Sequence, residues 1–305
     1  MKCLITGGNG FIGSHLADEL IEKGHQVIVI DSFFSGKKQN LNSKIKLFRL
    51  DICNPKIFNV FKKEKPDIVY HLAGPINLRR KINDPLFDKG LSTIGGAKRI
   101  LDYSHILNVK KFIFISSGGA IYSGARVIPT PEDYPAHPTS FYGLANLILE
   151  RLLEEYYKMY KLNSIILRLS NIYGPRQWGS GVIPSFIKQI LRNESPVINN
   201  NGKQTRDFVY IDDVVRALLI SAKTKKTGIF NVGSGREVSL NELLKEITEI
   251  LNMKIKPIYS FTEEETQRSA LDCSKIKKEL NWEPRVNLEE GLKMTINYFK
   301  NNTCD

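Results

Sequence analysis

Short apolar runs separated by longer segments of helical period fill the first half of the chain. Cys3–Thr6, Val27–Ile30, Lys46–Leu50, Ile68–Leu72, Phe112–Ser116 and Ile165–Leu169 are rich in Ile, Val, Leu or Phe. They are too short for helices and are predicted to be strands. Between them, segments such as Ile12–Lys23 and Ile94–Leu107 follow a helical period. Alternation of this kind predicts an α/β, doubly wound parallel sheet. A helix from about Ser140 to Tyr160 follows, and another from about Ile183 to Arg192, with loops marked by Gly174-Pro175 and Gly179–Gly181. Arg206–Ile211 returns as a strand. From Glu237 onward the pattern is mostly helical, with Lys256–Asp272 irregular or extended. No internal repeat or low-complexity linker interrupts it.

The most specific signal lies just after the first strand, in Thr6-Gly7-Gly8-Asn9-Gly10-Phe11-Ile12-Gly13. Glycines at 7, 10 and 13 let the backbone turn tightly and approach a pyrophosphate, which then rests on the N-terminus of the next helix. The second strand ends in Asp31, about 20 residues further on. A carboxylate there accepts hydrogen bonds from an adenosine ribose diol and repels a 2′-phosphate, so NAD is the expected cofactor, in preference to NADP. Gly7, Gly10, Phe11, Ile12, Gly13 and Asp31 are its predicted contacts. The expected organisation is a Rossmann NAD-binding domain over residues 1–170 plus about 205–233, with a smaller, mostly helical substrate lobe over 171–204 and 234–305.

Composition narrows the function classes. The chain has 305 residues, with 42% hydrophobic and 25% charged residues, as expected of a globular enzyme. Its formal charge of +12 is dispersed over pairs such as Lys37-Lys38, Lys110-Lys111 and Lys277-Lys278. No long basic tract with interleaved aromatics occurs, so neither nucleic acid nor a membrane is an expected partner. No apolar run approaches the roughly 18 residues of a membrane span. The sequence begins Met1-Lys2-Cys3 and runs directly into the glycine turn, so no signal peptide is expected. Cys3, Cys53, Cys273 and Cys304 are far apart, which suits reduced thiols in a cytoplasmic protein without a metal site.

The run Tyr142-Gly143-Leu144-Ala145-Asn146, with the glycine turn and Arg168-Leu169-Ser170-Asn171-Ile172-Tyr173-Gly174-Pro175-Arg176, resembles the extended short-chain dehydrogenase/reductases that remodel nucleotide sugars. Gly202–Val214, with its core Arg206-Asp207-Phe208-Val209-Tyr210, is a second strong match, and Arg268–Asp272 and Trp282-Glu283-Pro284 extend the resemblance over the whole chain. The resemblance implies an NAD-dependent nucleotide-sugar epimerase of the UDP-glucose 4-epimerase-like kind, working through a transient 4-keto sugar in polysaccharide precursor synthesis. Other nucleotide-sugar oxidoreductases and a weakly catalytic binding paralogue are the alternatives. It also implies further cofactor contacts at Ser35, Gly36, Asp51, Ile52, Leu72, Ala73, Gly74 and Ser92. Asn171, Arg176, Arg206 and Arg268 are the implied substrate contacts, Arg206 on the phosphates; a second reading pairs Arg206 with Asp207 or Asp212. A homodimer is implied through the helices Tyr142–Tyr160 and Ile94–Leu107.

The same resemblance makes Tyr142 the proton-transfer group, with a Ser/Thr delivered by the strand Phe112–Ser117. Counting along that strand selects Ser117; counting back from Tyr122 selects Gly118, which has no hydroxyl, so Ser117 is the candidate. The family's lysine four residues after the tyrosine is Asn146 here, and both Tyr142 and Asn146 are expected beside the nicotinamide ribose. Helical spacing places i and i+4 on one face. A unit charge at roughly 5 Å and an effective dielectric near 20 is worth about 3 kcal/mol, or about two pKa units on a phenol. An amide does not supply it. His137 and Arg79-Arg80-Lys81 are the other groups considered for proton transfer or charge. The family's dehydratases and decarboxylases place acidic residues straight after the catalytic Ser/Thr, where this chain has Gly118-Gly119. Pro75 replaces a glutamine, Ser92 an asparagine, and Thr262-Glu263-Glu264-Glu265 the R-P-G-D segment.

Overall fold

The computed structural model describes residues 1–34, 41–74, 85–177, 181–261 and 266–302, with the backbone path alone for 85–92. The chain divides into two compact units. The first comprises Met1–Ser123, Pro135–Arg168 and Val215–Phe230; the second comprises Gly124–Tyr134, Leu169–Val214 and Asn231–Asp305.

In chain order the first unit opens with β1 (Lys2–Thr6), α1 (Phe11–Glu22), β2 (Gln26–Asp31), β3 (Lys46–Arg49), α2 (Ile57–Glu64), β4 (Ile68–His71) and α3 (Pro85–Ile106). It continues with β5 (Lys111–Ser117), α4 (Gly118–Ile121), α5 (Phe141–Tyr160) and β6 (Ser164–Leu169). Next along the chain come β7 (Asn171–Tyr173), α6 (Val182–Leu191), β8 (Val197–Asn199), β9 (Thr205–Arg206), β10 (Phe208–Tyr210), α7 (Ile211–Lys223) and β11 (Gly228–Val232). The chain then forms β12 (Val238–Ser239), α8 (Leu240–Leu251), β13 (Ile258–Ser260), α9 (Ser274–Leu280) and α10 (Leu288–Asn302).

Seven strands form one sheet in the order β11-β6-β5-β4-β1-β2-β3. Pairing is parallel from β3 through β2, β1 and β4 to β5. Strand order reverses at β1, which lies between β2 and β4, so the carboxyl ends of β1 and β4 flank the crevice where such sheets bind ligands. One apolar layer joins Leu4, Ile28, Val69, Phe112 and Phe114 to Phe61, Ile100 and Leu153 from the covering helices. Burial of the strands explains their continuous apolar runs. The doubly wound expectation is therefore met. Helix α3 starts at Pro85, ahead of the apolar periodicity first legible at Ile94; proline suits a first helical turn, where its missing N–H costs nothing.

Helices α6, α8, α9 and α10 carry most of the regular structure of the second unit, and among the described residues three two-stranded sheets, β10-β7, β12-β9 and β13-β8, accompany them. The strand expected over Arg206–Ile211 is a correction. The segment splits at Asp207 into β9, antiparallel to β12, and β10, parallel to β7, while Ile211 opens α7. Segment 205–214 thus groups with the second unit, as does 124–134. Asp207 causes the break. Its buried carboxylate accepts Ser234 N and Oγ at 2.7 and 2.6 Å on Oδ1, and Leu271 N and Gly235 N at 3.1 and 3.2 Å on Oδ2. Burial pushes this carboxyl above its ordinary range, and those hydrogen bonds oppose the shift. Asp207→Asn turns an amide N–H toward donors and should lower the unfolding free energy by about 2 kcal/mol. Urea unfolding that leaves the midpoint unchanged would contradict this role.

Candidate functional site: a dinucleotide turn and a tyrosine–serine pair

The glycine turn is built for close approach. Gly7 has φ +72°, and a Cβ on it would lie 2.8 Å from Ala73 N. One on Gly13 would lie 2.4 Å from the Gly7 carbonyl oxygen. Only glycine lets the β1 turn pack against the start of α1 and the β4 turn at once. The N-cap of α1 is Gly10, which has no side chain to occupy the first N–H groups, so the helix end suits an anion. At the end of β2 the buried Asp31 carboxylate accepts Asn9 N at 2.9 Å and Phe33 N at 2.7 Å, which fixes its orientation. Each oxygen keeps a lone pair for a ribose hydroxyl. These residues fit the dinucleotide that the sequence predicts.

The neighbouring expected contacts lie where the β-strand ends bring them. Asp51 Oδ1 accepts Cys53 N at 2.9 Å, and Ile52 is buried against Gly96, where a Cβ would lie 2.8 Å from Ile52 Cγ1. Leu72 and Ala73 are half-buried and Gly74 is exposed. Thr6 Oγ1 bonds His71 Nδ1 at 2.7 Å and accepts Ala73 N at 3.3 Å, tying β1 to β4 at the crevice. Burial lowers the pKa of His71 to about 4, so this ring is neutral. The sequence assigned Thr6 no such role. Ser35, Gly36, Pro75, Arg79, Arg80, Lys81 and Thr262–Glu265 lie outside the described residues, and Ser92 is described only as backbone in α3. No cluster of His, Cys, Asp and Glu suited to a metal occurs among the described residues.

Ser117 ends β5 and Tyr142 lies in the first turn of α5. Burial pushes the Tyr142 phenol above its ordinary pKa, and hydrogen bonds from Ser117 and Asn146 act in the opposite direction. Ser117 is therefore the hydroxyl that the fold brings to the phenol. Asn146 is buried, and its Nδ2 donates to the Tyr142 carbonyl at 2.9 Å, so part of its amide serves its own helix. Ser140 caps α5 by accepting Gly143 N at 3.1 Å. Gly143 is a site residue that sequence reasoning missed: a Cβ there would lie 2.4 Å from the Ala120 carbonyl oxygen and 2.9 Å from Pro138 Cβ. Its absence lets α5 approach the turn that follows Ser117. The available signal was a glycine beside the tyrosine, where helix propensity disfavours it. His137 is exposed in the loop before α5, with its backbone N bonded to the Ile121 carbonyl at 2.9 Å.

The second unit gathers the expected substrate contacts differently. Asn171 N and Nδ2 donate to the Asp207 carbonyl at 2.9 and 3.2 Å. Arg176 is half-buried with φ +65°. Arg206 Nη1 donates to the carbonyls of Thr205 at 2.8 Å and Thr266 at 2.7 Å. Arg268 is exposed, and its Nε lies 3.0 Å from Glu237 Oε1. Glu237 also accepts Thr205 Oγ1. Sequence reasoning missed Glu237, whose partner Arg268 lies 31 residues further along the chain and meets it only in the folded unit.

The chain is similar to known proteins over its whole length. Residues 3–233 match the NAD dependent epimerase/dehydratase family. A putative UDP-glucose 4-epimerase from Methanocaldococcus jannaschii is 38% identical over 303 residues, which cover 98% of each chain. The UDP-glucose 4-epimerase of Mycolicibacterium smegmatis is 33% identical over 311 residues, 99% of each. The solved structure of the Thermotoga maritima UDP-glucose 4-epimerase with UDP-glucose gives a TM-score of 0.94 at 40% identity, covering 99% of each chain. Glycine turn, strand order and full-length similarity together place this chain in the NAD dependent epimerase/dehydratase family.

Proposed function

We propose that the protein is an NAD-dependent nucleotide-sugar epimerase that inverts C4 of a UDP-hexose or a UDP-uronic acid derivative, in polysaccharide precursor synthesis. The observation that carries this reading is the Ser117–Tyr142 hydroxyl pair in the unit that holds the dinucleotide turn. When bound, NAD supplies a hydride acceptor that also returns the hydride. Tyr142 takes the C4 hydroxyl proton, with Ser117 binding that hydroxyl and relaying the proton, and gives it back as the alcohol reforms. The chain supplies glycines at 118 and 119, where a dehydratase would need carboxylates for a second proton transfer. Epimerisation needs only one acid–base pair, so the residues favour it. Asn171, Arg176, Arg206 and Arg268 are the proposed substrate contacts, with the guanidinium groups suited to a diphosphate. Free thiols at Cys3, Cys53 and Cys273 accord with a cytoplasmic setting. Among the described residues, no helix is long and apolar enough to cross a membrane.

Incubation with NAD and a panel of UDP-sugars, followed by NMR of the products, should show conversion of one member to its C4 epimer. Loss of water or carbon dioxide from the sugar would contradict the reading. A second reading, a nucleotide-sugar-binding protein with weak turnover, draws support from Asn146, whose amide is bonded to its own helix instead of placing a cation beside the phenol.

The proposed assembly is a homodimer. Helix α5 exposes Leu144 and Met159, and Leu144, Leu147, Ile148 and Leu152 line an apolar groove along it together with Arg151 and Glu155. A second copy would cover this strip. Sedimentation should show a species of twice the 34.7 kDa chain mass. A monomer at micromolar concentration would contradict it.

Asn146→Lys provides the mechanistic test. Burial holds the Tyr142 pKa up, so the catalytically needed phenolate is scarce near neutral pH and grows as pH rises. A lysine ammonium at roughly 5 Å should lower that pKa by about two units. The rising limb of the pH–rate profile should move to lower pH, and turnover limited by proton removal should increase by up to about a hundredfold. An unchanged profile, or loss of the parent's activity, would show that Asn146 is not a passive replacement.

A further inference from the structure

Tyr142, Asn146 and Glu150 follow one another at four-residue steps, so they share one stripe of α5. The first two belong to the reacting centre. Glu150 continues the stripe into the interior and meets Arg168 of β6 there, with both side chains at most 3% exposed. The guanidinium forks onto the carboxylate: Nε lies 3.0 Å from Oε1, and Nη2 lies 2.6 Å from Oε2. Its remaining arm, Nη1, donates to the hydroxyl of Tyr122, and its carbon lies 4.8 Å from the centre of that ring. Tyr122 in turn closes α4, the single turn that follows Ser117, with its N–H bonded to the Gly118 carbonyl at 2.9 Å.

One buried guanidinium therefore grips both elements of the hydroxyl pair. It holds the helix of Tyr142 through Glu150, and the turn after Ser117 through Tyr122. A buried ion pair is a poor way to gain stability, since the cost of desolvating both ions offsets their attraction. A fork does fix direction, which apolar packing does less well. The need for direction is local. Ser117 is followed by Gly118 and Gly119, whose backbone freedom is large, and the first turn of α5 contains the side-chain-free Gly143. Among the residues contacting the guanidinium, Glu150 carries the balancing charge, so the cluster adds little field at the phenol and acts through geometry. The phenol depends on that geometry because Asn146 brings no cation.

We propose that Arg168, Glu150 and Tyr122 form a positioning clamp that holds Ser117 in hydrogen-bond register with Tyr142. The clamp rests on the assignment of Ser117 and Tyr142 as the proton-transfer pair. Tyr122→Phe removes one hydroxyl and keeps the ring that packs beside Arg168. A crystal structure of the NAD-loaded variant should place the Ser117 and Tyr142 hydroxyl oxygens more than about 3.5 Å apart. The variant's kcat should fall about tenfold, with the rising limb of its pH–rate profile moved about one unit upward and KM within about twofold of the parent. Arg168→Lys keeps the charge without the fork and should move all three readouts in the same direction. If either variant keeps the Ser117–Tyr142 contact and the parental pH profile while only its melting temperature falls, the cluster is structural and the clamp is overturned. If the parent epimerises no UDP-sugar yet the contact opens in Tyr122→Phe, the clamp stands and the proposed activity falls.

Discussion

Tyr142 occupies a place where burial opposes ionisation, and hydrogen bonds from Ser117 and Asn146 act the other way. A phenol in that position is useful as a base only while those bonds are kept, because desolvation alone would hold it protonated. Much of the first unit can be understood as the means of keeping them. Strand β5 delivers Ser117 at its carboxyl end, the capped first turn of α5 delivers Tyr142, and Gly143 allows α5 to close onto the backbone of α4, the turn that follows Ser117. The same end of the sheet carries the Gly7–Ala73 approach, where the β1 and β4 turns meet. Cofactor turn and hydroxyl pair thus arise from one topological fact, the reversal of strand order at β1.

The proposed anion-binding side chains in the second unit are already engaged. Arg268 pairs with Glu237, and Arg206 spends one arm on two carbonyls. The Arg268 pair is solvent-exposed and weak, so the proposed diphosphate would displace the carboxylate at little cost. The two carbonyl contacts fix the direction of the Arg206 Nη1 arm.

The sequence carried some of this plainly. Buried parallel strands left unbroken apolar runs, and the positive φ of Gly7 left a glycine that no other residue can replace without strain. Tyr142 and Ser117 were singled out by the family resemblance, while periodicity marked only the helix start and strand end on which they lie. What escaped depends on partners distant in the chain. The break at Asp207 follows from donors at 234, 235 and 271, and Glu237 meets Arg268 only through tertiary pairing. Gly143 was visible as a letter, but its reason, the Ala120 carbonyl, was not.

The central claim is that one hydrogen leaves C4 and returns to it while Tyr142 and Ser117 manage only the hydroxyl proton. A UDP-sugar substrate deuterated at C4 tests this directly when incubated in ordinary water with the NAD-loaded protein. The account predicts that the C4 epimer keeps the deuterium at C4. Washout of that label into solvent would show that the C4 hydrogen is removed as a proton, and would contradict it.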